Sequence, residues 1–526
     1  MAVAPDYIVV GSGINGLVCA ALLGQRGKTV LVLEREDVAG GCIKSGEITA
    51  PGYTHDMMAA TFVLFITSPA FGKLGADLAR HGLDFAHTPH PTGVVTPDGR
   101  SLVLTTDRAA NVARFNDLSP GDGDRYRAEV EAVERDAALV FGLLGGALWS
   151  WGTFKLLFRE MRRRGLRGLA ARLGEGLRPG RGWLETRFKS DLLRDMLAPW
   201  VLHAGLGPES AFSGEMARVV AFALEAAGAP IAKGGAANAV KAFEGLIRER
   251  QGEVRTGADV AEILVTGGRA SGVKLASGET IEARQGVICS VTPTQLYGRL
   301  IPSAAIDPAA KSHADDYRYG KGDMQMHYAL KSPPKWKSQG LDQVALIHLT
   351  PGLDGVSKAV NECERGMLPE VPTICVGQPH ALDPSRCPDG AGIIWIQLPE
   401  APRHIKGDAA GQIEVPADGG WSEAVREAYA DRVEAILKTH IDGFEENVVA
   451  RTCYSPADLE AMNMNLVGGD PYGGSCAIDQ FFIWRPFADT VNHKTPIAGL
   501  YQIGASTHPG PGLGGGSGFA LAERLG

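Results

Sequence analysis

The chain has no C-x-x-C pair. Its eight cysteines (Cys19, Cys42, Cys289, Cys363, Cys375, Cys387, Cys453 and Cys476) are scattered along its length. That excludes a zinc ribbon and a thioredoxin-like redox pair, and it fits unpaired thiols in a reducing compartment. There is no carboxylate cluster and no G-x-S-x-G, so a metal site and a serine-hydrolase site are both set aside. Excess positive charge is missing too: the net charge is −8, which gives no general attraction to nucleic acid. No repeat of about 20–50 residues occurs, which excludes solenoids and propellers. A signal peptide needs about 15–30 residues ahead of the first strand, which starts here at Asp6; the expected location is the cytoplasm.

Glycine is what the chain has in plenty, with 68 in 526 residues, so tight turns and close backbone approaches are expected. The remaining composition, 44% hydrophobic and 21% charged, is that of a globular protein. At ~100–200 residues per domain, two to four structural units are expected.

The start of the chain reads as one β-α-β unit. DYIVV (Asp6 to Val10) is a short buried strand, GSGINGL a turn, Ile14 to Gln25 an apolar helix, and KTVLVL (Lys28 to Leu33) a second parallel strand. Gly11, Gly13 and Gly16 match G-x-G-x-x-G: the first allows the tight turn, the second lets backbone meet a pyrophosphate, and the third lets helix pack on strand. The turn residues Ser12, Ile14 and Asn15 bring backbone N–H groups to a helix N-terminus, where phosphates are favoured. Glu34 ends the second strand, placed to accept both ribose hydroxyls of an adenosine and to repel a 2′-phosphate. These features together predict a dinucleotide site. Further on, Asn238 to Gln251 reads as a helix, followed by short strands and by the buried strand Val287 to Val291. MQMHYAL and GIIWIQL alternate as strands of a second sheet, and GLYQIG, HPGPGLGGG and SGFALAERLG form a closing strand, turn and helix.

LEREDVAGGCIKS resembles the extended motif of FAD enzymes, in which a Gly pair (here Gly40 and Gly41) follows the ribose-binding Glu. Together with GGAANAVKAF, SGVKLASGETIEARQGVICSVTP, IDQFFIWRP and TPIAGLYQIGASTHPG, it resembles the phytoene desaturase-like flavoproteins, which include carotenoid desaturases and isomerases and the pyridine nucleotide-disulphide oxidoreductase domain 2 proteins. The resemblance implies non-covalently bound FAD. It sets Val260 against adenine, Arg35 beside ribose or phosphates, Gly41 and Cys42 under the cofactor, and Met58 and Ala59 along the isoalloxazine. Gly504 and Ala505 would pass the pyrophosphate and ribityl chain, and backbone N–H groups near Leu513 and Gly514 would face the N1–C2 edge of the flavin, where negative charge gathers on reduction. Many relatives carry Arg where this chain has Cys42, and many flavin amine oxidases carry Gly-Asp where it has Gly504-Ala505. Both departures point to the desaturase-like branch.

The fold class expected is α/β: a Rossmann-type FAD-binding domain from residues 1–80, 225–300 and 490–526, interleaved with a substrate domain (81–224 and 301–489) of mixed sheet and helical cap. The function implied is dehydrogenation of an apolar isoprenoid or alicyclic substrate, with oxygen or a quinone as electron acceptor. A flavin amine or alcohol oxidase, a redox-neutral isomerase and a low-turnover flavin-binding scaffold are the rivals. Catalytic candidates are His508, on the loop before the closing helix, and His55 and Asp56 in GYTHDMM. His327, Tyr328 and Gln480 are candidates for the substrate pocket, and Arg485 reads as a buried ion-pair partner.

The segment 137–172 is expected to be helical, first apolar and then basic. AALVFGLLGGALWSWGTFKLLF has the ~20 residues that a membrane span needs, but Ser150, Thr153, Lys155 and glycines interrupt it. Residues 155–187 hold ten Lys or Arg against three Glu. Trp149, Trp151, Phe154 and Phe158 beside this run suit either an interfacial helix on anionic lipid or a cap helix with arginines in water.

Overall fold

The computed structural model describes residues 4–526. Two sheets organise the chain. The first is wholly parallel and has five strands, in the order Leu500–Ile503, Gly286–Ser290, Tyr7–Val10, Val30–Leu33, Glu253–Arg255. Its strands read as continuous apolar runs because helices cover the sheet. Helix Ile14–Gln25 is buried from Ile14 to Leu23. It packs with Ala237–Glu249 and with the closing helix Gly516–Leu525 in one core around Leu17, Phe243 and Leu521. The first strand therefore pairs with one from the middle of the chain, Tyr7 opposite Gly286, and the last strand joins the same sheet.

The second sheet has seven strands, in the order Val448–Tyr454, Gly322–Leu330, Gly392–Ala401, Ile374–Gly377, Leu346–Leu349, Thr92–Val95, Ser101–Leu104. All neighbours are antiparallel except Leu346–Leu349 with Thr92–Val95. MQMHYAL and GIIWIQL lie side by side within it. Alternation splits the strand Gly322–Leu330: Met324, Met326, Tyr328 and Leu330 enter the core under helix Glu423–His440, while Asp323, Gln325 and His327 face the other way.

The segment expected to be helical over 137–172 breaks. Helix Ala137–Gly145 stops at Gly146, and a new helix, Trp151–Gly176, is capped by Ser150, whose Oγ accepts from the Thr153 N–H. Gly165 (φ 71°) interrupts that second helix. No helix among the described residues is long and apolar enough to cross a membrane.

Candidate active site

One cavity of about 430 Å³ runs from the glycine turn to the second sheet. At the turn, Gly11 has φ +93°, and a Cβ on Gly16 would stand 2.3 Å from the Gly11 carbonyl oxygen. Gly16 thus lies behind the turn and allows helix to meet strand. Gly13 differs: a Cβ there would meet nothing within 4 Å. The space in front of Gly13, at the N-terminus of a helix with no side-chain cap, is the cradle that a pyrophosphate needs.

Glu34 is held by the turn itself. Its Oε2 accepts from the Ser12 N–H (3.0 Å) and Ser12 Oγ–H (2.6 Å), and its Oε1 from the Glu36 N–H (3.1 Å). Ser12 Oγ in turn accepts from the Gly40 N–H at 2.9 Å. Since a carboxylate offers about four acceptor positions, Oε1 keeps capacity for a ribose hydroxyl. Val260 lines this end, Arg35 pairs with Glu36, and Gly41 closes over the turn, with its Cβ position 3.2 Å from Gly13 Cα. Cys42, Met58, Ala59, Gly504, Ala505 and Leu513 continue the wall. Gly514 is set back beside the Leu64 carbonyl. Burial pushes the Cys42 thiol up, so it is a poor nucleophile toward a flavin.

Three contacts at this end were not foreseen from the sequence. The Gly504 N–H donates to Ser517 Oγ (2.9 Å), which donates to Asn15 Oδ1 (2.8 Å) and so ties the last turn to the first helix. Asn463 reaches Cys42, and the Asn465 side chain accepts from the Thr292 N–H at 2.9 Å. These partners come from distant parts of the chain, and no local spacing signals them.

The catalytic candidates require correction: none of the three lines this cavity. His508 Nε2 bonds the Gly146 carbonyl (2.9 Å), and the ring sits in a separate small pocket beside Trp149; burial lowers its pKa to about 4. His55 bonds Thr49 Oγ1 (2.7 Å) and is lowered by burial to about 4. Asp56 accepts from Ser45 Oγ, from the Ala236 N–H and from Arg386, which is fully buried and also bonds Asp383 and the Ala232 carbonyl. That network braces the loop to the second half of the chain.

The pocket candidates shift too. His327 packs edge-on against His55 and Tyr454 beneath the cavity wall. Tyr328, on the opposite face of its strand, reaches Glu434. Gln480 is spent on the backbone of Arg318, accepting from its N–H and donating to its carbonyl. Arg485 is buried but pairs with carbonyl oxygens of Tyr472, Ser475 and Ala505, with no carboxylate partner among the described residues.

The second sheet supplies the residues that do line the far end. Its register sets Tyr454, Gln325, Gln397, Cys375 and His348 in one row across five strands, all on the cavity side. Asp323 precedes Gln325 on the same face, and its Oδ2 accepts from Gln325 Nε2 (2.7 Å) and Gln397 Nε2 (3.1 Å). Trp395, Leu346, Trp200 and His203 complete the wall. His203 and His348 share a hydrogen bond of 2.9 Å, and Cys375 lies beside them. Burial lowers both histidines, His203 to about 4, so the pair is neutral.

A parallel Rossmann sheet, a glycine turn with a free cradle and an acid at the end of the second strand are the features of a dinucleotide-binding domain. The profile of the NAD(P)-binding Rossmann-like domain matches residues 9–77. The chain is 30% identical to the hydroxyneurosporene desaturase of Cereibacter sphaeroides, over 97% of this chain and 95% of that protein. It is 27% identical to the mouse (Mus musculus) pyridine nucleotide-disulfide oxidoreductase domain-containing protein 2, over 98% and 92%. A putrescine oxidase structure shares the fold, with a TM-score of 0.61 at 15% identity, over 99% of this chain and 98% of that one. The protein belongs to the phytoene desaturase-like family of flavin-dependent oxidoreductases.

Proposed function

We propose that the protein binds FAD non-covalently and dehydrogenates an apolar isoprenoid or alicyclic substrate. The observation that carries this reading is the continuity of one cavity, from the cradle at Gly13 to an apolar wall of Trp395, Leu346 and Trp200. FAD, when bound, supplies a two-electron acceptor for a substrate C–H. Gly13 and the helix N-terminus would hold its pyrophosphate, Glu34 its adenosine ribose, and Val260 its adenine. The apolar part of the far wall, Trp395, Leu346 and Trp200, would exclude water and orient a hydrocarbon skeleton. The Cereibacter relative, a hydroxyneurosporene desaturase, supports the reaction class. Acid or heat should release FAD from the purified yellow protein, and an apolar substrate should bleach it anaerobically. Release of FMN, or a colourless protein that FAD cannot reconstitute, defeats the reading.

The same reading includes a contact with the membrane surface. On helix Trp151–Gly176, Trp151, Phe154, Lys155, Phe158, Arg159 and Arg162 are exposed at helical spacing along one stripe. Six of the ten cations in 155–187 are held in ion pairs, such as Arg172 with Asp136 and Glu215. The cations of this stripe have no such partner among the described residues. Aromatic rings beside unpaired cations suit an interface with anionic lipid. Co-sedimentation with anionic liposomes should occur at low salt, and should fall in the Trp151→Ser, Arg162→Glu double variant. Retention in the supernatant at low salt leaves a plain cap helix.

A further inference from the structure

At the far end of the cavity, two buried polar atoms, two residues apart on one strand, have no hydrogen-bond partner among the described residues. Asp323 is 3% exposed and Gln325 2%; both line the cavity, and neither Asp323 Oδ1 nor Gln325 Oε1 has a hydrogen-bond partner. Buried polar atoms in folded proteins are nearly always satisfied, so a neighbouring orphan pair at a cavity wall needs an explanation. Strand register makes the arrangement rigid. Gln325 and Gln397 are direct cross-strand partners, and both amide groups donate to the same carboxyl oxygen, Asp323 Oδ2. This fixes which way the Gln325 amide points and leaves its carbonyl oxygen free.

Resting on the reading of this cavity as the substrate site, we propose that the substrate is an apolar molecule bearing a hydroxyl group, which accepts from Asp323 Oδ1–H and donates to Gln325 Oε1. The proton assignment follows from the surroundings of the carboxyl. Burial raises the Asp323 pKa to about 8, against the lowering effect of Gln325, Gln397 and the Met324 backbone N–H, and Asp470 adds to the rise. Asp323 is therefore neutral at pH 7. Because Oδ2 already accepts two N–H groups, its proton resides on Oδ1. The wall thus presents one donor beside one acceptor. A hydroxyl satisfies both, a ketone satisfies only the donor, and a saturated hydrocarbon leaves both orphaned. A site built to bond a hydroxyl rejects analogues that lack it, because its own buried groups then go unpaired. The rest of the wall, with Trp395, Trp200 and Leu346, takes the carbon skeleton.

The test uses flavin-loaded holoenzyme and three probes of one skeleton: menthol, menthone and p-menthane. Binding is read by calorimetry and by perturbation of the flavin spectrum, and needs no turnover. Menthol should bind at least about tenfold tighter than p-menthane, with menthone between them. In Gln325→Leu and Asp323→Leu the three affinities should converge to within about twofold, whereas Asp323→Asn, which keeps a donor, should retain part of the preference. Equal binding of menthol and p-menthane by the wild type overturns the proposal, and so does a hydroxyl preference that survives in Gln325→Leu. Tighter binding of cyclohexylammonium than of cyclohexanol, increasing with pH, also overturns it and assigns the pair to an amine. If none of the three skeleton probes binds the loaded protein, the proposal falls. The wild-type ranking stands even where a leucine variant does not fold. Absence of FAD, or of flavin reduction by any apolar compound, would count instead against the proposed function, since the ranking is read without turnover.

Discussion

The two ends of the cavity are built in opposite ways. At the nucleotide end, Gly11, Ser12, Gly13, Asn15 and Glu34 belong to one continuous stretch and form the site through a single β-α-β unit. At the far end, Trp200, Asp323, Gln325, Leu346, Trp395 and Gln397 come from four separate segments, brought together by register in the seven-stranded sheet and by the short helix over it. The first end depends on backbone shape, and so on glycine. The second depends on buried side chains, and so on which face of a strand each residue occupies. Single substitutions should act differently at the two.

The largest effect is expected at the turn. Gly13→Val should abolish flavin retention while the apo-protein melts within about 2 °C of wild type, because the new side chain enters open space. Gly16→Val should lose both flavin and stability, since its Cβ collides with the Gly11 carbonyl. Flavin content and thermal melts of both variants measure this. If both variants lost stability equally, Gly13 would be a structural glycine.

Next in size is the brace between the two halves. Arg386→Met leaves Asp56 and Asp383 without their buried partner, which should cost about 3–5 kcal/mol in denaturant unfolding. A cost under about 1 kcal/mol would mean that the network is dispensable, and would return Asp56 to the catalytic candidates.

A smaller effect, specific to the far end, is a dependence on pH. Folded Asp323 holds its proton up to about pH 8, whereas an unfolded aspartate loses it near pH 4. Between those values the folded state binds the extra proton, so this group's contribution to stability falls as pH rises and levels off above about 8. The buried histidines act with the opposite sign and only at lower pH: His203 and His508, both near 4 when folded, destabilise as pH falls below about 6.5. From about pH 6.5 to 8 the histidine slope fades and is common to wild type and an Asp323 variant. Over that window, melts of Asp323→Asn should decline less than those of wild type. Glu400, raised to about 8 by burial and in part by the Asp323 charge, adds a slope of the same sign, of which the variant loses only the part that Asp323 contributes. Parallel curves would show that Asp323 is ionised in the fold.

The smallest effect is expected at His508. With its ring bonded to Gly146 outside the main cavity, His508→Ala should slow anaerobic flavin reduction by less than about tenfold, below the ~10²–10⁴ of a lost general base. A slowing beyond a hundredfold would place His508 in the chemistry after all.

Much of the nucleotide end was legible in the sequence because its information is local. G-x-G-x-x-G, the following apolar helix and Glu34 specify a turn, a helix and a strand end whose relative positions are fixed by a short chain. Of the seventeen residues expected at the cofactor, all but Gly16 and Gly514 line the cavity. Gly16 lies hard against the Gly11 carbonyl, and Gly514 is in ordinary contact with that of Leu64. Fold class was legible for the same reason, since parallel strands alternate with apolar helices at both ends of the chain.

Proximity in sequence to the loops expected near the cofactor does not decide where the side chains of the catalytic candidates point. His508 and Asp56 sit on the expected loops but turn toward Gly146 and Arg386. Alternation along MQMHYAL was visible, yet it does not say which face meets a cavity; the structure turns Tyr328 to the core and Gln325 to the cavity. Thus the sequence by itself determined the Rossmann turn, the place of Glu34 at the strand end and the α/β class, because each rests on backbone geometry that a few consecutive residues dictate. Only the tertiary structure decided the polar group at the far end. Asp323, Gln325 and Gln397 meet through pairing between two strands that are not neighbours in the sequence, and the unpartnered atoms of Asp323 and Gln325 arise from burial, which no local pattern encodes.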